Sequence, residues 1–135
     1  MKFCDNYDFL SNFHPSKVVD EFEIEYPTVE HAYQAAKTDN IEDKIKISKM
    51  ETPGKAKRFG QKVKLVDGWE HIKDDVMFQL LLQKFQDPVL LLNLRNVVGE
   101  IVEDNDWGDT YWGVYNGRGE NTLGRLLMWI RDEED

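Results

Sequence analysis

The chain has 135 residues and a formal net charge of −9 at pH 7, from 26 acidic against 17 basic side chains. This length predicts one domain over residues 1–135, large enough to bury a core without disulfides or metals. The negative charge argues against general adhesion to nucleic acid, and no apolar run approaches the roughly 20 residues of a membrane span.

Periodicity along the chain predicts an α+β fold, a compact, mainly helical single domain with a small β-hairpin and short strands. Phe22, Ile24 and Tyr26 alternate as in a strand, and Asp87-Pro88 ends one helix and begins another. The predicted elements are a hairpin of strands 17–19 and 22–26, helices over 28–38, 41–50, 53–59, 69–86 and 88–94, a short strand over 100–103, and a last helix capped by Asn121 or Thr122.

Helical spacing also predicts which side chains face the core. On the 41–50 helix these are Ile41 and Ile45. On the 69–86 helix the expected core residues form two neighbouring lines, Trp69, Ile72, Val76, Leu80 and Lys84 on one and Met77, Leu81 and Phe85 on the other. On the last helix they are Leu123, Leu126, Leu127 and Ile130.

Cysteine and histidine usage indicates neither a disulfide nor a metal site. Cys4 is the single cysteine, and His14, His31 and His71 are dispersed along the chain. Acidic and amide residues interrupt the N-terminal segment, which therefore lacks the apolar core of a signal peptide. We expect a cytoplasmic protein with no membrane association and no metal or other cofactor.

The most informative segment is Pro27–Lys37, which predicts a helix with Thr28 as its N-cap. Glu30, Gln34 and Lys37 follow one another at helical spacing, and they form a polar stripe along the edge of an apolar face. Partial burial there would move the pKa of an acid or an amine towards neutrality. The alternative is an exposed polar face on which Glu30 favours the helix dipole.

A second informative segment is 106–121, which holds two Trp, two Tyr and four Gly together with two Asp and one Arg. Glycines allow the backbone to approach a ligand closely, and loop aromatics supply flat stacking area. This composition favours a binding loop. The alternative is a surface loop whose aromatics fill the core.

A basic segment lies between these two. Residues 44–64 contain eight Lys or Arg side chains against Glu51. Thr52-Pro53 is a strong helix start, and a helix N-terminus followed by Lys55, Lys57 and Arg58 can hold a phosphate. The alternative is a solvated helical face.

These segments resemble the NADAR family, also called YbiA-like. The resemblance is collinear over nearly the whole chain and is carried by residues 9–13, 28–37, 52–60, Trp69, 76–77, 84–85 and 109–128. It implies N-glycosidase chemistry on ribosylated nitrogen compounds, either of the ADP-ribosyl-guanine type or the ribosylamino-pyrimidine phosphates of riboflavin synthesis. It places the functional Glu, Lys, Trp and Asp of the family on Glu30, Lys37, Trp69 and Asp109, with Trp112 and Asn121 close by.

The expected site follows from the motifs and the resemblance together. Glu30, Lys37 and Asp109 are the catalytic candidates. The substrate-binding candidates are Ser11, Asn12, Gln34, Lys55, Trp69, Trp112, Gly113 and Asn121. Two of these have ordinary structural alternatives, since Trp69 could be a core residue and Asn121 a helix cap.

Two mechanisms are open. Breaking an N-glycosidic bond builds positive charge on C1 of ribose while the departing nitrogen needs a proton, so two carboxylates are the usual provision, here Glu30 and Asp109. A desolvated Lys37 could instead attack C1 of an opened ribose and form a Schiff base. The sequence favours direct hydrolysis slightly, because no residue in it shows that Lys37 is desolvated. The alternatives for Lys37 are contact with an anionic substrate and an ion pair with Glu30.

The expected partner is a small ribosyl or ADP-ribosyl substrate, free or attached to nucleic acid, with no obligate protein partner. The alternative function is a non-catalytic module that binds ADP-ribose or a nucleotide, for which Glu30 and Lys37 would not both be needed. The sequence leaves open the leaving base or amine and the oligomeric state.

Overall fold

The computed structural model describes residues 1–133, so the last two residues of the expected domain, Glu134 and Asp135, lie outside the described part. The chain divides into two compact units. One unit is Asn12–Lys84, and the other is Met1–Ser11 together with the described residues from Phe85 onward. The expectation of a single domain stays a prediction.

The unit Asn12–Lys84 begins with the predicted β-hairpin, whose strands are shorter than expected. Strands β1 (Val18–Val19) and β2 (Glu25–Tyr26) are antiparallel. The turn between them is organised by Asp20, whose carboxylate accepts hydrogen bonds from two backbone N–H groups and from the Tyr26 hydroxyl at 2.7 Å. This internal bonding holds the hairpin in a short, closed form.

Four helices complete this unit: α1 (Val29–Ala36), α2 (Ile41–Ser48), α3 (Pro53–Gly60) and α4 (Trp69–Lys84). Helix α1 contacts each of the other three as well as both strands. It begins where the sequence predicts, because the Thr28 hydroxyl accepts the His31 N–H at 3.1 Å. The helix that carries the predicted polar stripe is therefore the central helix of its unit.

The prediction for the buried face of α2 was wrong. Ile41 and Ile45 are 43% and 39% exposed, whereas Lys44 and Ile47 are buried. The Nζ of Lys44 donates a hydrogen bond to the Ala35 carbonyl at 2.9 Å. Carbonyls at a helix C-terminus lack intrahelical donors, so the lysine satisfies one while its aliphatic stem covers apolar surface.

The prediction for α4 was correct for one line of residues and wrong at Ile72. The line Met77, Leu81 and Phe85 is buried as predicted. On the other line Trp69 and Lys84 are buried, Val76 and Leu80 are half-buried, and Ile72 is 42% exposed.

The second unit contains a 3₁₀ helix over Asp5–Leu10, which the sequence did not predict, and helices α5 (Pro88–Arg95) and α6 (Thr122–Asp132), which pack on each other. The Asp87 side chain caps α5. On α6, Leu123, Leu127 and Ile130 are buried as predicted.

The predicted strand over 100–103 is wrong. The Asn121 side chain donates to the Ile101 carbonyl and accepts from the Glu103 N–H, both at 2.9 Å. These two backbone groups therefore bond to a side chain and not to a neighbouring strand. The backbone pairing that remains is an isolated bridge between Asp104 and Val114, with the Val114 N–H donating to the Glu103 carbonyl at 2.8 Å.

Asn121 is the N-cap residue of α6, as predicted, and its carbonyl accepts the Arg125 N–H at 2.9 Å. Its backbone is left-handed, with φ of 53°, and its side chain makes no capping hydrogen bond to α6.

None of the helices described over residues 1–133 is long and apolar enough to cross a membrane.

One prediction concerns His31, which is 1% exposed. Its Nδ1 lies 2.7 Å from the Thr28 hydroxyl and its Nε2 lies 3.0 Å from the Met50 carbonyl, and burial lowers the pKa of the ring. Because the pKa of His31 is lower in the folded state than its unfolded value near 6.5, the unfolded state binds the proton more readily. The contribution of His31 to the free energy of unfolding is therefore fully present above pH 6.5 and is lost as the pH falls. The melting temperature should fall between about pH 7.5 and about pH 5.5, and His31→Gln should remove part of that fall.

The matched control is His71→Gln, because His71 is exposed. This variant should keep the pH dependence of the wild type. Equal pH dependence in the two variants would contradict the account of His31.

Candidate functional site

The polar stripe on α1 is buried. Glu30 is 8% exposed and Gln34 is 3% exposed. The Gln34 Nε2 donates to the Glu30 Oε2 at 2.5 Å. The alternative of an exposed polar face is therefore wrong, and the carboxylate is held in place by its i+4 neighbour.

Asn12 lies against the same stripe. Its backbone carbonyl accepts the Glu30 N–H at 3.0 Å, and its side-chain Nδ2 donates to the Met77 sulfur at 3.5 Å. The Oδ1 of Asn12 and the Oε1 of Gln34 are buried and accept no hydrogen bond within the described residues. A buried acceptor without a donor is destabilising by about 1–3 kcal/mol, so donors from a ligand or water would be favourable here.

Helix α3 approaches α1 closely at this point. A Cβ built on Gly60 would collide with the Gln34 side-chain amide. Gly60 is the last residue of α3 and is itself buried. Only a residue without a side chain allows the two helices to enclose the Gln34 amide.

Lys37 lies at the C-terminal end of α1 and is half-buried. Burial lowers the pKa of its ammonium, the negative charge of Glu30 acts in the opposite direction, and the charge of Lys57 lowers it further. Its Nζ lies 5.6 Å from the centre of the Tyr33 ring. The arrangement places a partly desolvated amine on the same helix face as a buried carboxylate whose charge acts on it.

The Tyr33 ring next to this amine packs in turn on the ring of Trp69. The rings of Tyr33 and Trp69 are 5.3 Å apart at an angle of 54°, and Trp69 is 5% exposed. Sequence reasoning placed Tyr33 only on the apolar stripe. The signal that could have identified it is its i, i+4 spacing to Lys37, which brings two side chains together on a helix.

Lys55 is held at the start of α3, away from the buried stripe. Its Nζ lies 2.9 Å from the Glu51 carboxylate, and both side chains are exposed. Its backbone N–H bonds to the Thr52 hydroxyl at 3.1 Å. A phosphate at this helix start would compete with Glu51 for the ammonium.

The remaining predicted site residues belong to the other unit. Asp109 is half-buried, and its Oδ1 accepts the backbone N–H groups of Tyr111 and Trp112, each at 2.9 Å. Asn105 bonds to the backbone of Asp109 on both sides, at 3.0 and 2.8 Å. These bonds fix the orientation of the carboxylate within its loop.

The aromatics of this loop do not all fill the core. Trp107 is 64% exposed, and Trp112 is half-buried with its ring edge-on to Tyr111 at 5.0 Å. The alternative of core-filling aromatics is wrong for Trp107.

Two of the four glycines of this loop, Gly113 and Gly119, allow close approaches of the backbone. Gly113 is buried, and a Cβ there would collide with the Glu103 carbonyl. Gly119 has φ of 150°, and a Cβ there would collide with the Gly113 carbonyl. Packing against the Glu103 carbonyl is therefore sufficient to explain why residue 113 is a glycine.

The predicted site residues thus form two groups. In Asn12–Lys84, the structure brings together Asn12, Glu30 and Gln34, with Lys37 and Trp69 linked through Tyr33. The other unit contains Ser11, at the end of the 3₁₀ helix where its N–H bonds to the Asp8 carbonyl at 3.0 Å, and the group Asp109, Trp112, Gly113 and Asn121. The predicted pairing of the Glu30 and Asp109 carboxylates stays a prediction.

Within residues 1–133, no group of three or more His, Cys, Asp or Glu side chains is arranged to hold a metal ion.

Comparison with known families identifies the chain. The NADAR domain matches residues 2–133. This protein belongs to the NADAR family. Its fold agrees with that of a family member, because the NMR structure of the Escherichia coli protein YbiA superposes with a TM-score of 0.84 at 32% identity, over 98% of this chain and 80% of that chain. The prediction of a helix-rich α+β fold with a small antiparallel hairpin is confirmed.

The NADAR relatives have two kinds of name. N-glycosidase YbiA of Escherichia coli (strain K12) is 35% identical over 136 residues, which are 96% of this chain and 82% of that protein. A riboflavin biosynthesis protein of Vibrio vulnificus is 29% identical over 133 residues. The riboflavin biosynthesis protein PYRR of Zea mays is 36% identical over 152 residues. This chain spans 36% and 24% of the length of these two riboflavin proteins.

The packing of α3 on α1 generates a second prediction. Gly60→Ala should displace the Gln34 amide and destabilise the protein by about 1–3 kcal/mol, the range for overpacking. Gly54→Ala, in the same helix, is the matched control, because a Cβ there meets only ordinary contact with the Thr52 hydroxyl at 3.9 Å. Thermal unfolding should separate the two variants. A Gly60→Ala protein as stable as Gly54→Ala would contradict the described packing.

Proposed function

We propose that this protein is an N-glycosidase that hydrolyses the N-glycosidic bond of a ribosylated nitrogen compound. The proposed substrate classes are ADP-ribosyl-guanine and the ribosylamino-pyrimidine phosphates of riboflavin synthesis. Support comes from relatives named N-glycosidase YbiA and riboflavin biosynthesis proteins, and from the buried polar stripe on α1.

The observation that carries the proposal is the partly buried ammonium of Lys37 on the same face of α1 as the buried Glu30. Burial lowers the pKa of Lys37, which enlarges the fraction of neutral amine at a given pH. Only the neutral amine has the lone pair that a nucleophile requires. The covalent route, for which the sequence offered no sign of desolvation, now has a physical basis and is the route we favour.

In this route the Nζ lone pair of Lys37 attacks C1 of the ribose. The bond from C1 to the leaving nitrogen breaks with its electron pair on that nitrogen, which takes up a proton. In this scheme the Glu30 carboxylate takes a proton from the Lys37 ammonium, which leaves the neutral amine, and passes that proton to the leaving nitrogen. Opening of the ribose ring then breaks the bond between C1 and the ring oxygen. The electron pair of that bond stays on the oxygen, which takes up a proton from the attached Nζ, and a protonated imine remains between C1 and Nζ. Water then hydrolyses the imine, releasing the sugar and the free amine.

Trp69 and Tyr33 act in this scheme by holding Lys37. The Tyr33 ring faces the Nζ at 5.6 Å, and Trp69 packs on Tyr33 at 5.3 Å. Cation–π attraction fixes the position of the side chain between turnovers. The roles of Asp109, Trp112 and Asn121 in the reaction stay predictions.

A third prediction tests the covalent step. Borohydride added during turnover of ADP-ribosylated guanosine, or of a ribosylamino-pyrimidine phosphate, should reduce the imine and leave a sugar adduct on Lys37. Intact mass followed by peptide mapping detects it. Lys37→Arg keeps the charge but cannot form this imine, so it should lose both the adduct and turnover. Lys62→Arg, at an exposed lysine, is the control and should retain both. An active Lys37→Arg protein without an adduct would restore direct hydrolysis.

A fourth prediction concerns Glu30. Glu30→Gln keeps the shape and can still bond to Gln34, but it removes the proton donor, so turnover should fall by about 100-fold or more. Glu42→Gln, on the exposed side of α2, should leave turnover unchanged. Chromatography of the released base measures the turnover of both variants. A chelator is present throughout, so that the measured turnover does not depend on free divalent metal ions. Tight substrate binding without release of base by the wild type would instead indicate the alternative, a module that binds ADP-ribose or a nucleotide.

A further inference from the structure

A cavity lies within Asn12–Lys84, separate from the residues of the candidate site. Its volume is about 490 Å³, which is within the range of small-molecule sites. Its apolar walls come from α1 and α4, namely Ala32 and Ala36 with Ile72, Val76 and Leu80. The three α4 residues are spaced by four, so they form one stripe along that helix. This stripe contains Ile72, the side chain that the sequence wrongly assigned to the core.

The cavity and the polar stripe are on opposite sides of α1. An α-helix turns by about 100° for each residue. Ala32 and Ala36 therefore point roughly 150° away from the direction shared by Glu30, Gln34 and Lys37. Glu30, Gln34 and Lys37 are absent from the residues that line the cavity. A ligand in the cavity would occupy a different site from the proposed substrate.

The polar lining of the cavity is strongly acidic. Lys44 is the one cation among the described residues that line it. It is 6% exposed and donates to the Ala35 carbonyl at 2.9 Å, so its ammonium is committed within the protein. The carboxylates that line the cavity are Asp20, Glu21, Asp39, Asp67 and Asp75.

Several of these carboxylates are available to a ligand. Asp20 is occupied by the hairpin turn. By contrast, the exposed side chains of Asp67 and Asp75 form no hydrogen bond or ion pair within residues 1–133. An apolar wall with unpaired carboxylates at its edge is complementary to a molecule that has an apolar body and a positive charge.

We propose that this cavity binds a small organic cation, an ammonium group attached to an aliphatic or aromatic body. The body contacts Ala36, Val76 and Leu80, and the ammonium group lies against Asp67 and Asp75. An anion would meet repulsion from the lining, and a neutral apolar molecule would gain no electrostatic attraction from the carboxylates. The cavity is large enough for a molecule but too small for a folded segment of a protein.

The test uses 1,8-diaminooctane as the probe and 1,8-octanediol as its uncharged counterpart. Titrations followed by amide NMR should show the diamine shifting resonances of Ala32, Ala36 and the Ile72–Leu80 stripe, and the diol should bind more weakly. Asp75→Asn should weaken diamine binding by about 2- to 5-fold, the effect of one exposed charge pair. Glu42→Gln, which removes the same charge outside the cavity, is the control and should leave the affinity unchanged.

A second variant tests the apolar wall. Ala36→Leu fills the cavity and should abolish binding of the diamine, provided that circular dichroism shows the helical content of the wild type. If that variant does not fold, Val76→Ser removes apolar contact instead and should weaken binding.

Three results would overturn the proposal: equal affinity for the diamine and the diol, no loss of affinity in Asp75→Asn, or no binding to the wild type. A lysine-rich peptide that shifts these resonances when the diamine does not would assign the surface to a protein partner and would also overturn it.

Discussion

Enclosure of a polar stripe by the close packing of α3 on α1 is the constraint on which the candidate site depends. Gly60 makes this packing possible, since any side chain there would collide with the Gln34 amide. The packing encloses the Gln34 amide, which donates to the buried Glu30 carboxylate. Burial lowers the pKa of Lys37, and the charge of Lys57 on α3 lowers it further. Two acceptors, on Asn12 and Gln34, are left without donors in the described residues. Polar burial of this kind is unfavourable for stability and is often associated with function.

The ends of α1 are fixed by polar contacts from neighbouring segments. At its start, Thr28 caps the helix and His31 reaches the Met50 carbonyl at 3.0 Å. At its end, the buried Lys44 bonds to the Ala35 carbonyl at 2.9 Å, and the Val66 N–H bonds to the Lys37 carbonyl at 2.7 Å. The Thr28 cap satisfies an N–H group and the Val66 bond satisfies a carbonyl group that the helix cannot pair internally. Lys44 adds a second donor to the Ala35 carbonyl, which also accepts the Thr38 N–H at 3.3 Å. The polar contacts at the two ends of α1 fix the orientation of both of its faces, the polar stripe and the face that lines the cavity.

The sequence predicted what local rules determine. The start of α1 followed from the Thr28 cap, α3 from Thr52-Pro53, and the burial of α6 from its periodicity. It failed where a side chain replaced a backbone partner. No strand forms over 100–103, where the Asn121 side chain takes the Ile101 carbonyl and the Glu103 N–H. Ile45 is exposed because Lys44 faces the end of α1 instead. The stripe Glu30, Gln34 and Lys37 was predicted from spacing, but its burial depends on Gly60, thirty residues further along the chain.

The most direct test of this account is the pKa of Lys37, measured by NMR titration of its side-chain nitrogen in the wild type and in Glu30→Gln. Burial predicts a value below the ordinary 10.5 in the wild type. Because the charge of Glu30 raises the pKa of Lys37, the value should be lower still in the variant. A wild-type pKa at or above 10.5, unchanged by Glu30→Gln, would contradict the claim that Lys37 is a desolvated amine coupled to a buried carboxylate.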